Sequence, residues 1–424
     1  MRSAFLLAGS VTAAMLLATA AVAKPARSPE QVAAAALAKA PVWDGHNDVP
    51  IQLRERRKNV LSDFDFTDTT GTANPATGEA AMQTDLKRLR AGKVGAQFWS
   101  VFVSPNLNDP QAVQATLEQI DVTKRMVTRH MVDLTLCLDT ACVEAAWKKG
   151  RIASLIGIEG GHSIGGSLAV LRQFYELGAR YMTLTHFKNN SWADSATDAP
   201  VHNGLSPLGK DVVREMQRLG MLVDLSHVSE KTMLDVLEIA VAPVMVSHSN
   251  AFAINHHPRN VPDRVLDAIR SNGGIIMVNF YPPYVVEAAR LWSANRDAEE
   301  ARQKSLLRGQ PDKIKAAMAE WDKANPMPRG SVKDVADHLD YIAKRIGKEH
   351  VGLGGDLDGI ETTVVGMEDA STYPALFVEL ARRGWSQQDL EKLASRNMLR
   401  VLKSAEEYAS TQRDISPYEN PVGF

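Results

Sequence analysis

The stretch "VWDGHNDVP" at residues 42–50 sets an imidazole, His46, and a carboxylate, Asp48, two positions apart where an apolar run ends. Residues i and i+2 of a strand share a face, so the two side chains can converge on one point. Nitrogen and oxygen donors that converge in this way suit a divalent metal such as zinc. Taken alone, H-x-D is as well explained by a polar turn. Other apolar runs end in the same manner. Glu159 closes "IASLIGIEGG" (152–161), His186 closes "ARYMTLTH" (179–186) and His227 closes "MLVDLSH" (221–227). His248 lies in "APVMVSHS" (242–249), and Asp356 and Asp358 lie in "VGLGGDLDG" (351–359). One such histidine is best read as a hydrogen-bonded core or turn residue, but agreement among six strand ends is not explained that way. The residue types are those that bind zinc, and there are more of them than one ion needs. Two ions sharing a carboxylate and a water are the expected arrangement. His162, His256, His257, His338 and His350 are read as structural, and no H-E-x-x-H helical motif occurs.

Something must bring these residues together. With "VGAQFWSVFV" (94–103) and "GIIMVNFY" (274–281), the apolar runs number eight, each short and β-branched or aromatic enough for a buried strand. Helical patterns lie between most of them. "SPLGKDVVREMQRLG" (206–220) opens with Ser-Pro and closes with Gly, and "LAVLRQFYELG" (168–178), "SEKTMLDVLEIA" (229–240) and "PDRVLDAIRSNGG" (262–274) repeat the scheme. Buried strands joined by helical crossovers imply a parallel sheet. Eight such units predict an α/β fold of the (β/α)8 TIM-barrel type, whose active sites form at the carboxyl ends of the strands. An open doubly wound sheet is disfavoured, because no Gly-rich dinucleotide fingerprint follows the first strand. Insertions are expected after strands one and seven, at residues 54–84 and 284–330. The second is read as a solvated helical excursion, with a lid over the mouth as the alternative. Residues 384–407 predict a terminal amphipathic helix.

The chain has 424 residues, 45% hydrophobic and 23% charged, with a formal net charge of −2. Global disorder is excluded, and nothing suggests nucleic acid as a partner. Residues 1–23 carry Arg2, an apolar core and an Ala21-Val22-Ala23 ending, the pattern of a signal peptide cut after Ala23. Residues 24–424 are then expected as one metal-binding barrel domain, exported to a periplasm or the medium, with no stable membrane anchor. Cys137 and Cys142 are close enough for a disulfide, which their spacing permits but does not assure.

The ordered set "DGHND" (44–48), "GIEGGHSI" (157–164), "YMTLTH" (181–186), "GLSPLG" (204–209), "VDLSHVS" (223–229), "VMVSHSN" with "HHPRN" (244–260), "MVNFY" (277–281) and "GLGGDLDG" (352–359) resembles the renal or membrane dipeptidase family. These are zinc-dependent exopeptidases related to the amidohydrolase barrels. The resemblance implies that His46 and Asp48 hold one Zn2+, that Glu159 bridges two ions, and that His227 and His248 hold the second. It implies that His186 contacts the scissile carbonyl oxygen, that Arg259 grips the substrate's terminal carboxylate, and that Asp356 handles the amine end and the proton. Asp358 is the alternative for that last role, and an ion pair with Asp263 is the structural alternative for Arg259. The implied reaction is hydrolysis of free dipeptides by a metal-bridging hydroxide, with tolerance of a D-residue at the C-terminal position. A homodimer is implied as well. The competing functions are an N-acyl amino acid deacylase on the same dizinc site and a non-enzymatic small-molecule binding protein.

Overall fold

The computed structural model describes residue 1 and residues 27–76 and 78–421; the expected signal peptide falls outside them but for its first residue. Nine parallel strands follow the apolar runs: β1 (Val42–Asn47), β2 (Val94–Phe102), β3 (Leu134–Leu136), β4 (Ile152–Glu159), β5 (Ala179–Thr183), β6 (Leu222–Asp224), β7 (Met245–Val246), β8 (Ile275–Val278) and β9 (Val351–Leu353). β2 pairs with both β1 and β4, the ladder runs on through β9, and β9 returns to β1. This closes a barrel from the eight strands expected from the sequence. β3 is the addition: it pairs with the first residues of β4, below the stretch that β5 occupies, and takes no part in closure.

The strands are apolar on both sides because both sides are covered. Alternate residues Trp43, Phe98, Leu155, Tyr181, Met245 and Met277 form one buried cluster that fills the barrel. Met398, Val401 and Leu402 join that cluster and close the barrel's amino-terminal end. The other alternates, such as Val101, Ile158 and Ile276, pack under the surrounding helices.

Those helices start and stop where local chemistry says they should. Ser206 caps Pro207–Leu219 by accepting from the Gly209 amide, Pro207 opens it, and Gly220 ends it at φ 85°. Asp263–Asn272 ends on Gly273 in the same left-handed conformation. The terminal segment is interrupted: Gln387–Glu391 and Asn397–Thr411 flank a π turn at Lys392–Arg396, and the helix outruns its expected end at residue 407.

After β1, helix Val49–Arg57 leads into an irregular stretch with one 3-10 turn at Thr70–Thr72. After β8, the short helix Pro282–Val285 is followed by Glu287–Leu306 and Pro311–Ala324. These last two form a hairpin, with Trp292 and Trp321 rings 5.7 Å apart and Arg296 Nε 2.7 Å from Asp322 Oδ1. Their buried residues are Ala289 and Met318 alone, as a solvated excursion requires. Cys137 and Cys142 are joined in a disulfide with Cα atoms 5.3 Å apart. Among the described residues no helix is long and apolar enough to cross a membrane.

Candidate metal centre and cleft

The ring places its polar strand ends in one spot. β1 delivers His46 directly. Asp48 lies one residue past the strand, at the start of helix Val49–Arg57, so the shared-face argument holds only approximately. β4 ends on Glu159, and His186, His227, His248 and Asp356 follow β5, β6, β7 and β9 by two or three residues. Glu159 is the hub. Its Oε2 lies 3.4 Å from His46 Nε2, and its Oε1 lies 3.0 Å from His227 Nε2, 3.5 Å from His248 Nε2 and 3.6 Å from His186 Nε2. His46 Nε2 is also 3.3 Å from Asp48 Oδ2 and 3.9 Å from Asp356 Oδ1.

Three overlapping donor sets result: His46–Asp48–Glu159, Glu159–His227–His248 and His46–His248–Asp356, all buried. They fit divalent metal on chemical grounds. His46 Nε2 is buried with no hydrogen-bond partner. Two imidazole nitrogens, His227 Nε2 and His248 Nε2, face each other at 2.9 Å, an arrangement that wants a cation between them. Neutral imidazole is the ligating form. Burial, with Arg259 and His186 adding to it, holds His227 well below its ordinary pKa; burial, His46 and Arg259 do the same for His248. Burial would also depress His46, but the Tyr181 oxygen and the Glu159 and Asp48 carboxylates hold it well above its usual value. Glu159 resists burial because His46, His186 and His227 surround it, and it stays well below the usual carboxylate range.

Further residues orient these donors, as outer-shell partners of metal ligands generally do. Tyr181 OH lies 2.9 Å from His46 Nδ1. The ring has room because position 157 is glycine: a Cβ there would stand 2.0 Å from Tyr181 Cζ. Asp224 accepts from the Ser226 and Ser247 amides at 3.1 and 2.8 Å and from the Thr183 and Ser247 hydroxyls at 2.5 and 2.6 Å. Ser247 Oγ then meets His248 Nδ1 at 2.8 Å. Asp44 ties β1 to β9 in a similar way, accepting from the His46 and Gly355 amides and, at 2.6 Å, from Tyr373 OH. Sequence reasoning missed Asp44, Tyr181, Asp224, Ser247 and Tyr373. A charged residue within an apolar run, as in "VDLSH", was the available signal for Asp224.

Beside the cluster opens a cavity of about 280 Å³, lined by Glu159, His186, His227, Arg259 and Asp356 among others. Of the 284–330 insertion, Tyr284 lines this cavity, beside Tyr281 just before it, and no lining residue comes from the 287–324 hairpin. His186 sits between the Phe102 and Phe187 rings, and burial pushes its pKa down to about 4. Arg259 is buried. Its Nη1 donates to Ser249 Oγ at 3.1 Å and its Nη2 to the His248 carbonyl at 3.3 Å, while Nε has no partner. Asp263 pairs with Arg345 instead, which removes the structural alternative for Arg259.

Asp356 and Asp358 part company. Asp356 reaches the cluster, accepts from Asn279 Nδ2 at 2.8 Å, and is held well above the carboxylate range by burial and by its Asp48 and Glu159 neighbours. Asp358 turns toward the Gln83 amide, which donates to its Oδ1 at 2.8 Å. Burial pushes it up to about 6, against the pull of that amide. His227, Asp356 and Asp358 all have left-handed backbones, at φ 67°, 61° and 67°. For residues other than glycine this costs about 1–2 kcal/mol each. The histidines read as structural behave so: His338 and His350 bond backbone carbonyls, and His162 Nε2 bonds the Val103 carbonyl at 3.1 Å.

A parallel barrel with buried His, Asp and Glu donors gathered at its strand ends is a metallohydrolase scaffold. The chain belongs to the membrane dipeptidase family (peptidase family M19), whose model matches residues 30–416. It is a metallo-dipeptidase, a hydrolase of peptide bonds. An uncharacterised dipeptidase of Schizosaccharomyces pombe is 41% identical over 395 residues, which is 90% of this chain and 84% of that protein. Dipeptidase tcpJ of Claviceps purpurea is 39% identical over 383 residues, covering 88% and 79%. Among solved structures, the probable dipeptidase PvdM of Pseudomonas aeruginosa superposes with a TM-score of 0.76 at 23% identity, over 90% of this chain and 99% of that one. A metallo peptidase of Rhodobacter sphaeroides, liganded with a phosphinate mimic of the dipeptide L-Ala-D-Ala, gives 0.70 at 23%, over 86% and 99%. At these identities the two structures speak to the fold.

Proposed function

We propose that this chain is an exported dipeptidase that uses two zinc ions to cleave free dipeptides, including those with a D-residue at the C-terminal position. One observation carries the reading: two buried donor sets share Glu159 at the wall of a cavity that has Arg259 and Asp356 in its lining. In this reading His46 and Asp48 hold one ion, His227 and His248 the other, and Glu159 both. Bound zinc supplies Lewis acidity and brings the ionisation of water near neutrality.

The chain's own residues do the rest. The Arg259 guanidinium offers a fork of donors to the terminal carboxylate and so sets how far the scissile bond lies from the chain end. His186, neutral at working pH, stands ready to donate to the carbonyl oxygen as charge grows there. Asp356, the only carboxyl of its loop to reach the cluster, holds a proton readily and can pass it to the leaving amine. The phosphinate-bound relative lends support to acceptance of a D-residue. The signal-peptide pattern and the Cys137–Cys142 disulfide support export.

The test uses the mature protein, zinc-loaded and then chelated, with a free dipeptide and its N-acetylated twin. Zinc-dependent release of amine from the free dipeptide alone is expected, with about two ions bound per chain. Cleavage of the acetylated twin alone would transfer the protein to the deacylase reading.

A further inference from the structure

The reading above gives tasks to Arg259, His186 and Asp356 and none to the apolar part of the cavity wall. Among the described residues Phe187 is the only exposed phenylalanine, at 47%, and it stands in that wall. Its ring centroid lies 4.1 Å from that of His186 and 5.1 Å from that of His227. A ring packed on two polar side chains of the site, with the rest of its surface bare to the cavity, is the kind of lining that receives an apolar group.

The ring is also held where it stands. The His186 carbonyl accepts from Ser195 Oγ at 2.6 Å, and the Phe187 carbonyl accepts from Thr197 Oγ1 at 3.0 Å. Beyond it, Lys188 Nζ bonds Asn106 Oδ1, and the Asn189 amide donates to Asp198 Oδ2 at 3.0 Å. With the backbone tied on both sides of residue 187, little freedom remains to be lost when a ligand covers the ring.

The strand order tells which part of a substrate it meets. β5, β6 and β7 are successive in the ring, and β9 and β1 lie across from them. Phe187 follows β5, His227 follows β6 and Arg259 follows β7, so Phe187 shares an arc with Arg259. Asp356 and Asp48 come from the opposite arc and lie close together there: a Cβ at Gly359 would stand 2.2 Å from Asp48 Oδ2 and 2.7 Å from Asp356 Oδ1. A dipeptide with its carboxylate at Arg259 and its amine near Asp356 spans the ring, and its carboxyl-terminal residue lies over the arc that carries Phe187.

We infer that Phe187 is a specificity-determining residue, whose ring forms a subsite for an apolar side chain on the carboxyl-terminal residue of the dipeptide. This rests on the dipeptidase reading and narrows it.

The experiment compares alanyl-phenylalanine with alanyl-alanine, each as the L,L and the L,D form, because configuration decides which way the side chain leaves the backbone. The wild-type protein should favour the phenylalanyl substrate by about tenfold in kcat/KM in one of the two series, mainly through KM. In Phe187→Ser that ratio should fall toward one, and in Phe187→Leu, which keeps an apolar surface, most of it should return. Because the ring also packs on His186, the serine variant should lose turnover as well; the ratio between substrates, not the absolute rate, reads the subsite. A wild-type ratio near one in both series overturns the inference and leaves the dipeptidase standing. So does a preference that survives in Phe187→Ser, whose uniform loss would show the ring to be packing for His186 and nothing more. Failure to cleave any dipeptide with zinc bound would remove the reading underneath it.

Discussion

The mouth of the barrel and the hairpin of residues 287–324 are both rich in charge, and they hold it in opposite ways. On the hairpin the charges pair along one helix, as Arg302 with Glu299 and Lys304 with Glu300, or across to the other, as Arg296 with Asp322. Water reaches them, and such exposed pairs contribute about 0–1 kcal/mol each. At the mouth His46, Asp48, Glu159, His227 and His248 are buried within hydrogen-bond distance of one another, and like groups face each other. Little solvent reaches them there. An arrangement that is costly in the bare protein and sensible around a cation points to what it is for. The number of charges in a region therefore says less than whether each has water, a partner or neither.

The comparison is broken most severely at the mouth. His227→Ala should lower kcat/KM on the order of a thousandfold and reduce bound metal, read by turnover and by metal analysis of the purified protein. The buried His338 is its control. The Ala251 amide donates to its Nδ1 at 3.1 Å, and its Nε2 lies 2.9 Å from the Val285 carbonyl. His338→Ala should keep the metal and most of the activity while costing about 2–3 kcal/mol of stability, because two backbone groups lose their partners. Burial holds the His338 pKa down to about 4. The unfolded chain therefore takes up this proton first as pH falls. The stability His338 contributes, about 3 kcal/mol, is present above pH ~6.5 and is lost toward pH ~4. Denaturant titration at the two pH values, with His338→Ala as reference, reads it. Equal metal and equal activity in both variants would dissolve the distinction between ligating and structural histidines.

A smaller effect is expected one bond behind the proposed metal ligands. Ser247 donates to Asp224 and so can only accept from His248 Nδ1–H, which leaves the lone pair of Nε2 facing Glu159. In Asp224→Asn the amide would donate to Ser247, turn that hydroxyl toward His248 as a donor, and shift the imidazole proton to Nε2. Metal affinity should fall about 10–100-fold, measured by competition with a chromophoric chelator. The smallest effect belongs to the hairpin. A Cβ at Gly330 would stand 2.8 Å from Val286 Cγ1, so the two ends of the insertion lie side by side. Replacing residues 288–328 by a short linker should leave kcat/KM within about twofold. A tenfold loss would mean that the hairpin belongs to the site after all.

Much of the mouth is legible in the sequence, because a barrel strand announces itself as a short apolar run and its last residues are the ones that face the cleft. His46, Glu159, His186, His227 and His248 could be read from that rule alone. β6 and β7 are shorter than their apolar runs, three and two residues, because the chain leaves the ladder before the histidines arrive. What the sequence hides depends on neighbours across the ring. Tyr181 meets His46 only because position 157, on the adjacent strand, is glycine. Asp224 matters through a serine 23 residues away, and Asp44 through a tyrosine 329 residues away. Register joins these pairs, and no local pattern in the chain records it. β3 escaped notice as well: three residues long, it closes nothing and carries no chemistry.

The left-handed backbones of His227, Asp356 and Asp358 have an implication for anyone who would breed a hardier form of this enzyme. At each of these positions glycine would be the more comfortable residue. A selection that rewards heat tolerance alone should therefore accumulate glycine there, and its winners would be durable barrels without a working centre. Selection for survival and selection for turnover pull apart at three identifiable codons, which makes those codons the ones to hold fixed.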